Sequence, residues 1–259
     1  MKKGILFIGH GSRFNHNKEA VEQQANALKE RTGLPVRTAY NETTMPLVDT
    51  VLEEMVNEGI EEIIAVPFFV ASGLHITRDI PRKLSIPENS AGGKTTVNGK
   101  EVTVHFEKPL GEDPNLTDIL EERVKESCNG KKAAIMVVGH GSRLPYNEEI
   151  IKFHAERLRE RGYPNVYHAF NEFNEPYIEE VMKEIAATDV TDVAVLPMFI
   201  ASGAHLGEEV PETLGIPAYS DGGVSDAFGR ELNIHYAMPV GKEPRLAEVL
   251  VKRLEKYGI

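Results

Sequence analysis

A pentapeptide that recurs, without a gap, at half the chain length is what most constrains how this sequence can fold. Gly9-His10-Gly11-Ser12-Arg13 follows the apolar run Ile5-Leu6-Phe7-Ile8, and Gly139-His140-Gly141-Ser142-Arg143 follows Ile135-Met136-Val137-Val138. The offset of 130 residues, from His10 to His140, holds along the whole chain of 259. Asn41-Glu42 meets Asn171-Glu172, Pro67 meets Pro197, Ala71-Ser72-Gly73 meets Ala201-Ser202-Gly203, and His75 meets His205. Further on, Pro81 meets Pro211, Gly92-Gly93 meets Gly222-Gly223, and His105 meets His235. A repeat of this length is one small domain encoded twice. The expected organisation is two domains, residues 1–130 and 131–259.

The pattern inside one repeat indicates its class. Residues 4–9 read as a short buried strand ended by glycine, and residues 16–31 as a helix with Ala20, Val21, Ala25 and Leu28 on one face. Val36 to Tyr40 is a second strand, followed by a helix from about Pro46, and Ile63 to Val70 is a third strand. Alternating strands and helices with continuously apolar strands require a parallel sheet covered on both faces. A short helix to about Leu84 follows, then a hairpin around Asn98-Gly99 and a last helix from about Glu112 to Cys128. The second copy repeats this order, with Ala227-Phe228-Gly229-Arg230 in place of the Asn-Gly turn. The predicted fold is α/β: two tandem doubly wound parallel-sheet domains.

Composition narrows the partners. The formal net charge of -11 disfavours nucleic acid, and no apolar run is long enough to span a membrane. The single cysteine, Cys128, has no disulfide partner, which fits a reducing, cytoplasmic setting.

In open α/β sheets ligands bind beyond the carboxyl ends of the strands, where the unusual polar residues of each repeat fall. His10 follows strand one, Glu42 follows strand two, and His75 lies just past strand three; His140, Glu172 and His205 are their mates. Two imidazoles and a carboxylate suit a divalent transition metal such as Co, Ni, Fe or Zn. Six of the nine histidines form repeated pairs. His105/His235 read as packing residues, whereas His16, His154 and His168 lack histidine mates and read as incidental or surface residues. Gly11 and its mate would let a flat ligand approach the backbone. Arg13 and Arg143 could hold a carboxylate or phosphate. Ser12 and Ser142 invite a hydrolase reading, but the motif is not the Gly-x-Ser-x-Gly elbow.

Gly-His-Gly-Ser-Arg after the first strand, a glutamate after the second and Ala-Ser-Gly-x-His after the third together resemble the class II chelatases. Within them the similarity is to the short archaeal sirohydrochlorin cobaltochelatases, also assigned as nickelochelatases of the coenzyme F430 pathway. Leu74-His75-Ile76-Thr77-Arg78-Asp79-Ile80-Pro81 and Lys108-Pro109-Leu110-Gly111 strengthen the resemblance, which covers both halves. It implies insertion of Co2+ or Ni2+, with Fe2+ as the nearest variant, into sirohydrochlorin, a macrocycle carrying carboxylates. It also implies that the chain is a fused pair of domains, pseudo-twofold related, leaving further oligomerisation open. His10, His75, His140 and His205 would hold metal, and Glu42 and Glu172 would join them as catalytic residues. Gly11, Ser12, Arg13, Ser72, Gly73 and Arg78, with Ser142, Arg143, Ser202 and Gly203, would line the macrocycle. No cofactor beyond the metal substrate is expected, and no nucleotide, because no Walker A motif is present. A non-catalytic tetrapyrrole or metal carrier is the rival reading.

The copies differ in charge. Arg78, Asp79, Arg82 and Lys83 follow the first Ala-Ser-Gly-x-His, whereas Glu208, Glu209, Glu212 and Thr213 stand at those positions in the second. Acidic residues disfavour a polyanion, so the first set is expected to be the main site.

Overall fold

The computed structural model describes residues 1–12, 15–128, 131–203 and 205–259, with the side chains of 15 and 205 outside the description. The chain forms two compact units, one of Met1–Asp113 with Pro244–Ile259 and one of Pro114–Glu243.

In the first unit, β1 (Lys3–Gly9), β2 (Val36–Tyr40), β3 (Glu62–Pro67), β4 (Gly92–Val97) and β5 (Lys100–Phe106) form one sheet in the order β2-β1-β3-β5-β4. The pairs β1–β2, β1–β3 and β3–β5 are parallel, and β4 runs antiparallel to β5 at the edge. The hairpin at Asn98-Gly99 therefore adds a strand to a parallel sheet, with both turn residues at positive φ, 51° and 75°, as a two-residue turn of this hand requires. Side chains alternate across β1. Leu6 and Ile8 join the cluster formed with Val48, Val51, Leu52 and Met55 of α2 (Val48–Asn57) and Ile80 of α3 (Ile80–Lys83). Ile5 and Phe7 are equally buried, with Phe7 against Phe68 at 5.0 Å between ring centroids. Near the end of β1, a side chain at Gly9 would collide with Val21 of α1 (Asn15–Thr32).

The helix expected from Pro46 begins at Val48 instead. Pro46 belongs to the preceding loop, where its carbonyl accepts the Tyr40 N–H at 2.9 Å and so prolongs the pairing of the chain beyond β2.

The second unit repeats the design with β6 (Ala134–Gly139), β7 (Val166–Phe170), β8 (Asp192–Pro197), β9 (Gly222–Ser225) and β10 (Leu232–Tyr236), in the order β7-β6-β8-β10-β9. Its helices include α5 (Tyr146–Glu160), α6 (Ile178–Ala186) and α7 (Val210–Leu214).

Units and sequence repeats do not coincide. The last helix of the first repeat, α4 (Leu116–Ser127), is built into the second unit beside α5, and the last helix of the second repeat, α8 (Leu246–Leu254), into the first unit beside α1. Each exchanged helix carries an arginine at the same repeat position. Arg123 of α4 is 3.0 Å from Glu243, both side chains 5% exposed, and Arg253 of α8 reaches Glu107 at 3.3 Å and Asp113 at 3.6 Å. Glu243 and Asp113 are themselves repeat mates.

Two histidine expectations divide. His105 and His235 are strand residues tied to Glu62 and Asp192 at 3.2 Å and 3.1 Å, structural as expected. His154, expected on the surface, is fully buried, with its Nδ1 2.9 Å from Thr117 of α4. Its mate Gln24 is buried as well. His154 lies on the α5 face that α4 covers, and the repeat comparison alone does not show that face as interior.

Candidate functional site

The rim of the first sheet is assembled by hydrogen bonds between strand ends. Beyond β1 and β2 the chains continue to pair: Asn41 N–H donates to the Gly9 carbonyl at 2.9 Å and Glu42 N–H to the His10 carbonyl at 3.1 Å. Gly11 sits at φ +93°, where a Cβ would stand 1.7 Å from the Glu42 carbonyl oxygen. Glycine is thus demanded here by the approach of two loops of the same chain. Ser12 N–H donates to Thr44 Oγ1 at 3.0 Å, and the Thr44 hydroxyl returns a bond to the Ser12 carbonyl at 2.9 Å.

His75 arrives from the third strand on a single π-helical turn, His75–Asp79, that leads into α3, its first bond running from Ile80 N–H to the His75 carbonyl. Pro81, lacking an N–H, suits the start of the helix that follows. Such turns recur where a side chain must be re-aimed at a site.

Three ends of strands thereby bring together three side chains of the kinds that can hold a metal ion. Among the described residues, His10, Glu42 and His75 each offer a donor atom within 4.8 Å of the others. The two imidazoles meet edge to face, centroids 4.7 Å apart and planes at 87°, and His10 Nδ1 lies 3.9 Å from Glu42 Oε1. His10 Nδ1 is 2.9 Å from the Gly11 carbonyl, an acceptor only, so in the neutral tautomer that makes this bond Nδ1 is the donor and Nε2 bears the lone pair. His75 Nδ1 has two neighbours, Asn41 Nδ2 at 2.9 Å and Asp79 Oδ2 at 3.0 Å. Arg78 donates from Nε to the other oxygen of Asp79 at 2.9 Å, and this bond holds the carboxyl below its ordinary range. A histidine ligand whose second nitrogen faces a carboxylate is the usual support of a metal site.

The remaining expected site residues are placed as follows. Ser72 donates its hydroxyl to Glu112 at 2.8 Å, and the Gly73 carbonyl accepts from Ile76 and Thr77 N–H at 3.0 Å and 2.9 Å, so this segment caps the turn that carries His75. Arg78 is engaged with Asp79. Arg13 lies outside the described residues. In the second unit, Glu172 N–H donates to the His140 carbonyl at 2.9 Å, and Gly141, at φ +89°, faces the Glu172 carbonyl as Gly11 faces Glu42. Ser142 N–H donates to Asn174 Oδ1 at 2.7 Å, while its hydroxyl accepts from Leu144 N–H at 3.1 Å. The His140 ring stacks on Phe173 at 6.3 Å and meets Phe199 at 6.0 Å; Arg143 lies over the Phe173 ring at 5.7 Å. Ser202 is half-buried and the Gly203 carbonyl accepts from Gly207 N–H at 2.9 Å. The backbone of His205 opens a π-helical turn as His75 does, and its side chain is outside the description.

Sequence reasoning passed over Asn41 as a member of the site and counted Asp79 and Lys83 only as rim charges. The signals were present: Asn41 is part of a repeated Asn-Glu pair, and Asp79 stands four residues after His75, one helical turn on.

Two histidines and a glutamate converging at the carboxyl rim of a doubly wound sheet, in a chain whose sequence encodes that rim twice, match the pattern of a tandem chelatase-like protein. The chain belongs to the CbiX family, whose model matches residues 4–127 and again residues 134–257. It is 44% identical over 126 residues to the sirohydrochlorin cobaltochelatase of Methanococcoides burtonii, covering 48% of this chain and 96% of that protein. It is also 25% identical over 284 residues to a probable sirohydrochlorin cobaltochelatase of Halobacterium salinarum, covering 99% of this chain and 92% of that one. The fold is that of SirB from Bacillus subtilis, with a TM-score of 0.77 at 21% identity over 99% of this chain and 95% of SirB. Among the described residues no helix is long and apolar enough to cross a membrane.

Proposed function

We propose that this chain is a sirohydrochlorin chelatase that inserts Co2+ or Ni2+ into the macrocycle without nucleotide hydrolysis. The observation that carries the reading is the convergence of His10, Glu42 and His75 within 4.8 Å from three separate strand ends. The names carried by the family relatives support the tetrapyrrole substrate.

The chemistry follows from the donor set. His10 and His75 hold the incoming ion through neutral imidazole nitrogens. Insertion exchanges one M2+ for two pyrrole protons, so the macrocycle gains no net charge. Glu42, exposed at the rim, accepts these protons in turn and passes them to water. Gly11, Ser12, Ser72, Gly73 and Arg78 border this rim, Arg13 follows in the chain, and the macrocycle's carboxylates would meet them. His140, Glu172 and His205, with Ser142, Arg143, Ser202 and Gly203, form the corresponding set of the second copy and assist or work slowly. The product would serve cobalamin or coenzyme F430 biosynthesis.

The test is an anaerobic absorbance time course with sirohydrochlorin and, separately, Co2+, Ni2+ and Fe2+, beside a protein-free blank and a His10→Ala/His140→Ala double variant. Multiple-turnover metallation that the variant loses is the expected result, and relative rates rank the metals. Fastest turnover with Fe2+ would make it a ferrochelatase for siroheme. A stoichiometric spectral shift without acceleration would make the protein a carrier, and no shift would overturn the reading.

A further inference from the structure

We propose that Asn41, oriented by Lys83, is a positioning residue that competes with Asp79 for Nδ1 of His75 and keeps the metal loosely held. The proposal rests on reading the triad as the metal site. Lys83 Nζ donates to the Asn41 backbone carbonyl in a close contact and lies 3.2 Å from Asn41 Oδ1. An ammonium has donors only, so the amide oxygen must face it and the amide NH2 must face the imidazole. Asn41 is 2% exposed, which fixes the amide in this direction. His75 Nδ1 therefore stands between a donor, Asn41 Nδ2 at 2.9 Å, and an acceptor, Asp79 Oδ2 at 3.0 Å.

A neutral imidazole satisfies one of them at a time. With the proton on Nδ1, His75 donates to Asp79, turns an N–H against the Asn41 amide, and leaves Nε2 free to bind metal. With the proton on Nε2, His75 accepts from Asn41 and cannot ligate through Nε2. Passing from the second state to the first moves one proton off Nε2 to water and brings one from water to Nδ1, with no change in net charge. Metal binding selects the first state and gives up the Asn41 bond. One hydrogen bond of this kind weakens metal binding by about five- to tenfold. An ion that must be handed to a macrocycle gains from this, because tight holding of the ground state slows transfer.

The device belongs to the first copy. Asn171 is retained in the second, but Thr213 replaces Lys83, and its hydroxyl donates to the Glu209 carbonyl of its own helix at 2.8 Å.

The experiment has two readouts on the full chain. In metal-free protein, 15N NMR of the imidazoles reports the tautomer of His75, and titration with Co2+ followed by its visible absorbance reports affinity without macrocycle. Lys83→Met frees the amide to rotate, and Asn41→Ala removes it. Both variants should lower the Nε2–H population and bind Co2+ about five- to tenfold tighter, with slower single-turnover insertion. Asp79→Asn should bind Co2+ ten- to a hundredfold more weakly. An unchanged tautomer, or equal or weaker Co2+ binding in Lys83→Met with native circular dichroism, would overturn the proposal. Wild-type protein that binds Co2+ yet inserts none would fail the chelatase reading, while the affinity ratios would still decide the role of Asn41.

Discussion

The first histidine of each repeat stands in the same backbone frame and in a different surround. Around His10, a second imidazole and a carboxylate converge, and charged groups behind them form one chain from Arg78 through Asp79 to His75 and from Lys83 to Asn41. His140 keeps the counterpart of the His10–Phe69 ring contact, meeting Phe199 at 6.0 Å against 5.7 Å in the first copy, and adds the ring of Phe173 at 6.3 Å. Phe173, half exposed and at φ +62°, occupies the position of Thr43, which has the same left-handed backbone. In the second copy Glu208, the mate of Arg78, accepts a bond from the Tyr219 hydroxyl. The comparison teaches that duplication kept the scaffold, including the glycine that lets two loops touch, while the side chains around the rim diverged at Thr43, Arg78 and Lys83 and their mates Phe173, Glu208 and Thr213. It also refines the argument from rim charge. Arg78 and Arg82 are engaged with Asp79 and Glu88, at 2.9 Å and 2.6 Å, so the positive surplus of the first rim is smaller than the sequence count implies.

The sharpest way to break this contrast is to remove matched histidines. His10→Ala should lower kcat/KM for Co2+ insertion by about a thousandfold, since a lost ligand removes several kcal/mol of charge stabilisation. His140→Ala should lower it by less than about threefold, within the roughly 0.5 kcal/mol expected away from a critical site. Equal losses in steady-state assays would end the claim that the first rim leads. The carboxylates come next: Glu42→Gln should cost about a hundredfold as a proton acceptor is lost, and Glu172→Gln far less. A solvent isotope effect that disappears in Glu42→Gln alone would sharpen the assignment.

Glycine variants separate scaffold from chemistry. Gly11→Ala and Gly141→Ala should each destabilise their unit by about 2 kcal/mol, because both put a Cβ against a carbonyl at positive φ. Urea unfolding should show similar losses in the two, whereas Co2+ affinity should fall mainly in Gly11→Ala. A large difference in stability between them would show that the two loop contacts are not equivalent. The smallest effect concerns acid. Burial by itself would raise the Glu107 carboxyl, but Lys256, Tyr257 and Arg253 outweigh it and hold it below its usual 4.5. The group thus stabilises the first unit fully above pH 4.5, and the contribution is lost as pH falls through its lower folded-state value. The second unit has Ala237 at this position. Glu107→Gln should be less stable at neutral pH and show a shallower pH dependence below 4.5 in urea midpoints; an unchanged slope would remove this asymmetry.

Much of this molecule can be read in one dimension. The repeat, the apolar strands and the turn chemistry at Asn98-Gly99 are local patterns, so they determined two α/β sheets and placed His10, Glu42 and His75 at one rim through the strand-end rule. Pro46 misled because proline suits a first helical turn and a loop alike, and only the pairing of Tyr40 with its carbonyl decides between them. His154 looked superficial because nothing local says that a helix from the other end of a repeat will cover it. Tertiary structure alone decided which helix completes which unit, since residues 123 and 243, or 107 and 253, meet only when distant segments pack. It alone also set a donor and an acceptor on one nitrogen of His75, because Asn41 reaches that ring across 34 residues of chain. Periodicity reports which face of an element is buried; it carries no information about which polar atoms, brought from separate elements, will share a hydrogen bond.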